Sequence, residues 1–304
     1  MAKKLIVVLG ITGAQVTAAL RDQGVEIVTG DVDNVASLSN AFKGANVVFG
    51  LTDFWSPFHD PGTYTRLAQG QTINEYCYDL ELQRGLNIAK AAATTIATID
   101  RFIFSVLSYA KEWSKGKYTW VYHFDSKAEA ARRIQKDYPE LAARMSLLQV
   151  GLYVTNWRSG MGAFQKQADG SYTLSLPGSG NAPIPMVVTH KDTGSFVNAL
   201  VRSPPRIHLL GVSQMMSWNE YAALWARIHG ERATYQEISV DDMDKAIPGG
   251  LGKELGEMCA YMAEFGYDGL DPTVVRPADL EVDCPTTSIE DYIKSEDWSP
   301  VFKP

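Results

Sequence analysis

The sequence predicts an α/β protein built on a parallel, doubly wound sheet of the Rossmann type, followed by a small C-terminal lobe. The first observation is an apolar run, Leu5–Leu9, that leads directly into a glycine turn at Gly10–Gly13. The second is that strand and helix patterns alternate from there to residue 150. Such alternation is typical of parallel strands joined by right-handed helical crossovers.

The first half of the chain is predicted to hold five strands and four helices. The predicted strands are Leu5–Leu9, Val25–Thr29, Val47–Leu51, Arg101–Val106 and Ser146–Val150. The predicted helices are Gly13–Asp22, Val35–Phe42, Glu75–Ala93 and Ser126–Tyr138. Leu5–Leu9 is apolar throughout, as expected of a parallel strand covered on both faces. Gly24 and Pro139 lie just beyond two of the helices, where such residues stop a helix.

After Gly151 the predicted elements become shorter and turns more frequent. They are short strands or a hairpin at Gly170–Gly178, helices at Ser217–Gly230, Ser239–Gly266 and Ser288–Ser295, and an irregular stretch at Asp271–Pro285. The helical stretch Ser239–Gly266 is interrupted near Pro248-Gly249-Gly250. We therefore predict a first domain at residues 1–150 and a C-terminal lobe at residues 151–304, interleaved with the last strands of the sheet.

Composition disfavours direct nucleic-acid binding and a membrane span. The chain has 304 residues, 45% of them hydrophobic, and a formal net charge of −7, so it lacks the basic footprint of nucleic-acid binders. No stretch approaches the ~20 apolar residues of a membrane span. The three cysteines show no CxxC spacing and the five histidines no zinc spacing, which predicts a reducing compartment and no metal site. The expected location is the cytoplasm, or the nucleus for a regulatory protein.

The glycine turn predicts a cradle for a diphosphate. A strand, a glycine turn and a helix start together present N–H groups to an anion, and the helix dipole favours negative charge there. The predicted contacts are Gly10, Ile11, Thr12, Gly13, Ala14 and Gln15. Val16 occupies the third glycine position and weakens the cradle, because that glycine permits close packing of the helix on the strand. The alternative is a tight turn that binds no ligand.

Six segments, in order along nearly the whole chain, resemble the NmrA-like family of atypical short-chain dehydrogenase/reductases. They are Gly10-Ile11-Thr12-Gly13-Ala14-Gln15, Gly24–Asp33 (which ends in Gly30-Asp31-Val32-Asp33), Val48–Trp55 (which contains Thr52-Asp53-Phe54), His123-Phe124-Asp125-Ser126-Lys127, Gly151-Leu152-Tyr153-Val154-Thr155-Asn156-Trp157 and Asp192-Thr193-Gly194. The resemblance implies a Rossmann-like fold that binds NADP, with NAD as the alternative.

The resemblance also exposes a gap after the glycine turn. In the family, Gly-Asp-x-Asp closes the third strand, so one strand–helix unit is missing here and the sheet is predicted to be one strand narrower. In family members that unit carries the basic residues that recognise the 2′-phosphate of NADP. Asp31 therefore has two interpretations. It falls about 20 residues after the turn, where NAD proteins place a ribose-binding acid, whereas the family places Asp31 and Val32 near the adenine.

The remaining cofactor contacts are implied by the resemblance. Thr52, Asp53 and Phe54 follow a predicted strand and would lie against the nicotinamide ribose and the diphosphate. A second group, which would lie over the nicotinamide, consists of Tyr153, Val154, Thr155 and Asn156. For the first group, the alternative is an ordinary loop with a buried aromatic pair.

His123 and Lys127 are the predicted catalytic pair. Short-chain reductases use Tyr-x-x-x-Lys, a spacing that places both side chains on one helix face. Here His123 occupies the tyrosine position, and histidine can move a proton near neutral pH. Lys127 would hold the nicotinamide ribose. The alternative is that Lys127 is only a cofactor or helix-start contact and His123 a structural residue.

These observations together predict an NAD(P)-dependent oxidoreductase that transfers hydride to or from a small or medium organic substrate, in a setting such as secondary metabolism. Two alternatives stay open. One is a non-catalytic NAD(P)-sensing regulator that acts through a protein partner. The other is a cofactor-free isomerase or dehydratase on the same fold.

Overall fold

The structure of the protein is a computed structural model that describes residues 4–10 and 20–303. Its strands are β1 (Ile6–Val8), β2 (Val47–Gly50), β3 (Arg101–Val106), β4 (Met145–Val150), β5 (Leu152–Tyr153), β6 (Gln165–Lys166), β7 (Tyr172–Pro177), β8 (Ile184–Val187), β9 (His208–Gly211), β10 (Gln214–Met216), β11 (Ala233–Ile238) and β12 (Val274–Val275). The glycine-turn residues Ile11, Thr12, Gly13, Ala14 and Gln15 lie outside the described residues.

The helices alternate with the strands in the first half of the chain and cluster in the second. They are α1 (Val35–Ala41), α2 (Ile73–Thr94), α3 (Ala110–Trp113), α4 (Tyr122–Asp137), α5 (Pro139–Ala142), α6 (Thr189–Arg202), α7 (Trp218–His229), α8 (Val240–Ala246), α9 (Leu251–Phe265), α10 (Ile289–Ser295) and α11 (Ser299–Phe302). Short 3₁₀ helices occupy Ser56–His59, Pro61–Thr65, Val154–Ser159 and Pro277–Asp279. Within the described ranges, no helix is long and apolar enough to cross a membrane.

The predicted α/β class and the parallel sheet are confirmed. Six strands form the main sheet in the order β1-β2-β3-β4-β9-β12. β1 pairs in parallel with β2, and β2 in parallel with β3. Two three-stranded sheets have the orders β10-β8-β5 and β11-β7-β6. β1 stands at one end of this order, so it is an edge strand of the main sheet among the described residues.

Three predictions about individual elements are wrong. Val25–Thr29 is predicted as a strand but has irregular backbone, and it pairs with no strand that the structure describes. Val25 and Val28 are 41% and 54% exposed, so this apolar stretch lacks the cover that a buried strand requires. The helix predicted at Ser126 begins earlier, at Tyr122. The stretch after Asp271, predicted as irregular, contributes β12 to the main sheet.

The chain divides into two compact units, and each is discontinuous in sequence. The first comprises Met1–Val106, Ser126–Leu148 and Leu200–His208. Its core packs α1 and α2 against strands β2 and β3 through side chains such as Leu38, Ile88 and Phe102. The second comprises Leu107–Asp125, Gln149–Ala199 and Leu209–Pro304, with a core rich in aromatic residues.

Candidate functional site

The loop that follows β2 in the first unit carries the predicted residues Thr52, Asp53 and Phe54. The hydroxyl of Thr52 donates to Oε1 of Glu81 at 2.8 Å. The carboxylate of Asp53 accepts from the backbone N–H of Trp55 at 2.9 Å, which closes a local turn. Phe54 is buried and meets Trp55 edge-to-face at 4.9 Å. The loop is therefore held in one conformation at the carboxyl end of a parallel strand, where ligands of such sheets bind.

Glu81 joins three polar side chains into one buried group. Its Oε1 accepts from Thr52 and from the ammonium of Lys127, and its Oε2 accepts from the hydroxyl of Ser126. Glu81 and Ser126 are fully buried, whereas the Lys127 side chain keeps 12% of its surface exposed. We call Thr52, Glu81, Ser126 and Lys127 the Glu81 cluster.

The cluster forms because helices α2 and α4 approach closely within the first unit. A Cβ atom on Gly85 would lie 2.9 Å from the Cβ of Ala130 and 3.3 Å from the ring of Phe104. Glycine and alanine at this crossing let the two backbones approach. Glu81 and Ser126 each lie four residues before these small residues, about one helical turn away. The close approach therefore brings the carboxylate against the hydroxyl and the ammonium.

The charge balance of the cluster determines what Lys127 can do. A buried carboxylate is tolerated when it is paired and its remaining lone pairs are hydrogen-bonded, and Glu81 meets both conditions. An ammonium group has three N–H donors and Glu81 accepts one of them. The partly exposed Lys127 can therefore donate to a ligand hydroxyl while its position is fixed by Glu81.

His123 belongs to the second unit and is held by a different carboxylate. Its Nδ1 lies 2.6 Å from Oε1 of Glu254, and its backbone N–H donates to the same oxygen at 2.8 Å. His123 is 5% exposed and Glu254 fully buried. The Glu254 carboxylate thus supplies the acceptor that the first turn of α4 needs, and it fixes the imidazole. The structure joins Thr52 and Lys127 through Glu81, and it pairs His123 with Glu254.

Asp125 is a second buried acid near the start of α4. Burial, which excludes water from the carboxyl, and the nearby charge of Glu254 raise its pKa to about 7. The backbone N–H groups of Lys111, at 3.2 Å, and of Ala110 act in the opposite direction. Asp125 therefore changes charge near neutral pH while 4% exposed.

The predicted residues Tyr153, Val154, Thr155 and Asn156 lie at the end of β5 and in the following 3₁₀ helix, in the second unit. Tyr153 is 44% exposed and Val154 is buried. Three of the four, Tyr153, Val154 and Asn156, line a small cleft together with Met161 and Trp218.

Asp31 and Val32 lie in the irregular segment that precedes α1. The Asp31 carboxylate accepts from the N–H of Asp33 at 2.9 Å. Helix α2 holds the segment at two points. Arg84 binds both carboxylate oxygens of Asp33 at 2.8 Å, and the Asn87 amide donates to the Val32 carbonyl at 3.0 Å. The Arg84 guanidinium lowers the pKa of Asp33, so this ion pair is formed at neutral pH.

Gly10 is the described residue of the glycine turn. Its φ of +89° is a conformation that side chains rarely adopt, and a Cβ there would meet Leu51 at 3.0 Å. Glycine is therefore required where β1 passes into the turn. The described residues fit a dinucleotide at two points, Gly10 at the end of β1 and the Glu81 cluster beyond β2. On the adenosine side, the described residues provide no strand beside β1.

A parallel sheet of this topology, with a glycine turn after its first strand, defines a protein of the Rossmann-like NAD(P)-binding class. The model of the NmrA-like family matches residues 9–293. The chain belongs to the NmrA-like family.

Three solved structures show the same fold at low sequence identity. The negative transcriptional regulator NmrA in complex with NAD is 16% identical, covering 96% of this chain and 95% of that one, with a TM-score of 0.67. The NADPH-dependent quinone oxidoreductase QOR2 of Escherichia coli, complexed with NADPH, is 16% identical, covering 95% and 88%, with a TM-score of 0.64. Triphenylmethane reductase of Citrobacter sp. is 15% identical, covering 95% and 88%, with a TM-score of 0.63.

Sequence reasoning missed the three carboxylates that organise these sites, Glu81, Glu254 and Asp125. Glu81 is the charged residue among the buried residues of α2, most of which are apolar, such as Leu82 and Ile88. A lone acid on such a face is a usable signal, because buried carboxylates need partners. Glu254 gave a weaker signal, since its partner His123 lies 131 residues away in sequence.

Proposed function

We propose that this protein is an NAD(P)-dependent reductase that transfers hydride to a conjugated organic acceptor and takes the accompanying proton from solvent. One observation carries the proposal. Lys127 is fixed by Glu81 at the carboxyl end of β2, while His123, at the position of the reductase tyrosine, is buried and bonded to Glu254. The chain thus keeps the cofactor-holding lysine and has no exposed acid four residues before it.

Lys127 has the binding role in this proposal. Its remaining N–H donors bind hydroxyls of the nicotinamide ribose, and Thr52 and Glu81 keep the ammonium in place. When bound, NAD(P)H supplies the hydride from C4 of the nicotinamide. The further contacts proposed from the family resemblance are Gly10, Ile11, Thr12, Gly13, Ala14, Gln15, Asp31, Val32, Asp53, Phe54, Tyr153, Val154, Thr155 and Asn156.

The absence of an exposed acid favours a particular class of substrate. Reduction of an isolated carbonyl builds an alkoxide, which requires a positioned proton donor in the transition state. A quinone or a cationic conjugated dye delocalises or neutralises the added charge, so water can supply any proton later. The named activities of the E. coli quinone oxidoreductase and the Citrobacter dye reductase support this class.

We propose the cytoplasm as the location.

Titration with NADH and NADPH, followed by nicotinamide fluorescence, tests the binding step. Turnover is then measured with a quinone and a triphenylmethane dye. Lys127→Met should weaken cofactor binding at least 10-fold, and Lys90→Met, on the exposed face of α2, should change nothing. Failure of the wild-type protein to bind either cofactor would overturn the proposal, as would wild-type turnover by Lys127→Met.

A second candidate is an NAD(P)-sensing regulator without catalysis. The observation that favours it is the same burial of His123, which leaves the tyrosine position without an exposed proton donor. NmrA itself is described as a negative transcriptional regulator and was solved with NAD and with NADP. Cofactor binding without turnover of either acceptor, together with capture of a stable protein partner, would favour this candidate.

A further inference from the structure

Strand β1 lies at an edge of the main sheet, as far as residues 4–10 and 20–303 show. It pairs with β2 on one side, and it is the first strand of the sheet among the residues that the structure describes. Ile6 and Val8 are 49% and 43% exposed. An edge strand with exposed apolar side chains offers unpaired N–H and C=O groups to another extended segment.

Residues 25–30, here called the edge segment, have the composition of a strand without its structure. Val25, Ile27, Val28 and Thr29 are β-branched, a residue type enriched in strands. The segment is nevertheless irregular, and Val25 and Val28 are largely exposed. β1 and the edge segment therefore both carry exposed apolar side chains.

The chain connection allows this pairing. The 16 residues from Leu9 to Gly24 separate β1 from the edge segment, and a parallel crossover needs a dozen or more. The far end of the segment is already anchored, because Arg84 holds Asp33 and Asn87 holds Val32. A strand here would run parallel to β1, and its carboxyl end would lie beside the carboxyl end of β1, near Leu9 and Gly10.

We propose that the edge segment pairs with β1 when a dinucleotide binds, and that Asp31 then accepts a hydrogen bond from the 2′-hydroxyl of the adenosine ribose. The protein consequently selects NAD(H) over NADP(H). This inference rests on the proposed function, since it requires dinucleotide binding. Asp31 follows Gly10 by 21 residues, and NAD-binding Rossmann proteins place a ribose-binding acid about 20 residues after the turn.

The charges around Asp31 support selection against a 2′-phosphate. The phosphate of NADP(H) would face the carboxylate of Asp31. Arg84 is the arginine that holds this segment, and both oxygens of Asp33 already engage its guanidinium. The Asp31 carboxylate is exposed, and the N–H of Asp33 donates to one of its two oxygens, so a ribose hydroxyl can reach the other.

Hydrogen–deuterium exchange with and without saturating cofactor tests the conformational step. NADH should protect the amides of residues 25–30 at least 10-fold. Ile27→Pro and Val28→Pro form a matched pair, because N–H groups alternate between the two edges of a strand and proline removes one. One of the two should weaken NADH binding and abolish the protection more strongly than the other.

Calorimetric titration tests the selectivity. The wild-type protein should bind NADH at least 10-fold more tightly than NADPH, and Asp31→Asn should reduce that ratio to about 3 or less. Asp22→Asn removes an exposed charge near in sequence and should leave the ratio unchanged. Binding of NADH without protection of residues 25–30, or tighter binding of NADPH, would overturn this inference alone. Absence of binding to both cofactors would overturn the proposed function with it.

Discussion

Lys127 and Glu81 form an ion pair that is almost completely removed from water within the first unit, with side-chain exposures of 12% and 1%. Lys127 is predicted from a family-like segment, whereas Glu81 lies in none of these segments. A lysine fixed in this way cannot swing freely toward a ligand. It offers its remaining N–H groups from a set position, which reduces the entropy lost when a ribose binds.

Removing one charge from this ion pair should lower the free energy of unfolding substantially. Glu81→Gln leaves the Lys127 ammonium without a counterion, and breaking a buried pair typically costs about 3–5 kcal/mol. We expect a loss at the lower end of that range, because Lys127 keeps a solvent-exposed edge. Urea unfolding monitored by circular dichroism measures the change.

The double variant Glu81→Gln/Lys127→Met provides the control for charge. With both charges removed, the decrease in the free energy of unfolding should be smaller than the sum of the decreases in the two single variants. A double-mutant cycle measures the difference. Additive losses would show that the two side chains do not interact.

The bond between His123 and Glu254 should matter more for stability than for turnover. His123→Asn removes the imidazole from a buried carboxylate, which should cost about 1–3 kcal/mol. In quinone reduction we expect kcat to stay within about threefold of the wild-type value, because the proton comes from solvent. Steady-state kinetics and thermal unfolding measure the two effects. A 100-fold loss of kcat in a folded variant would make His123 the proton donor.

The order of elements could be predicted from the sequence because local patterns determine it. Arg101–Val106 is an apolar run and forms β3 over the predicted bounds. Val25–Thr29 is rich in β-branched residues, which favour strands. A strand also needs a neighbouring strand to pair with, and the local sequence does not determine that neighbour. Long-range contacts also explain the misplaced start of α4, since its first turn is held by Glu254 from α9.

The candidate site was predictable where a motif marked it and not elsewhere. Thr52 and Lys127 lie in family-like segments and meet at the Glu81 cluster. Glu81 lies 46 residues before Lys127 and belongs to no motif, so only the packing of α2 on α4 reveals it.

We expect opposite effects on stability for two glycine substitutions, one at the crossing of α2 and α4 and one at an open position of α6. Gly85→Ala places a Cβ 2.9 Å from Ala130, so crowding should outweigh the gain in helix propensity and cost about 1–3 kcal/mol. Gly194→Ala, in α6, meets nothing within 4 Å and should stabilise by up to about 1 kcal/mol. Thermal unfolding compares them. Stabilisation by both would mean that the helices do not approach as closely as described.

Because Asp125 is buried and has a raised pKa, we expect its contribution to the free energy of unfolding to fall as pH rises. Its pKa is raised to about 7 by burial, whereas an unfolded chain has an aspartate pKa near 4. Between these values the folded state binds more protons than the unfolded state. The free energy of unfolding therefore falls as pH rises from about 4 to about 7, and the charged carboxylate costs about 4 kcal/mol above that range.

Asp125→Asn should remove this cost while its amide oxygen still accepts the Lys111 N–H. We expect the variant to have a higher Tm than the wild-type protein at pH 8 and an equal Tm near pH 4.5. Glu264→Gln is the control, because Lys117 lowers the pKa of Glu264 and its charge stabilises the fold. It should not raise Tm at pH 8. A Tm difference for Asp125→Asn that is constant from pH 4.5 to pH 8 would show that Asp125 does not titrate in this range.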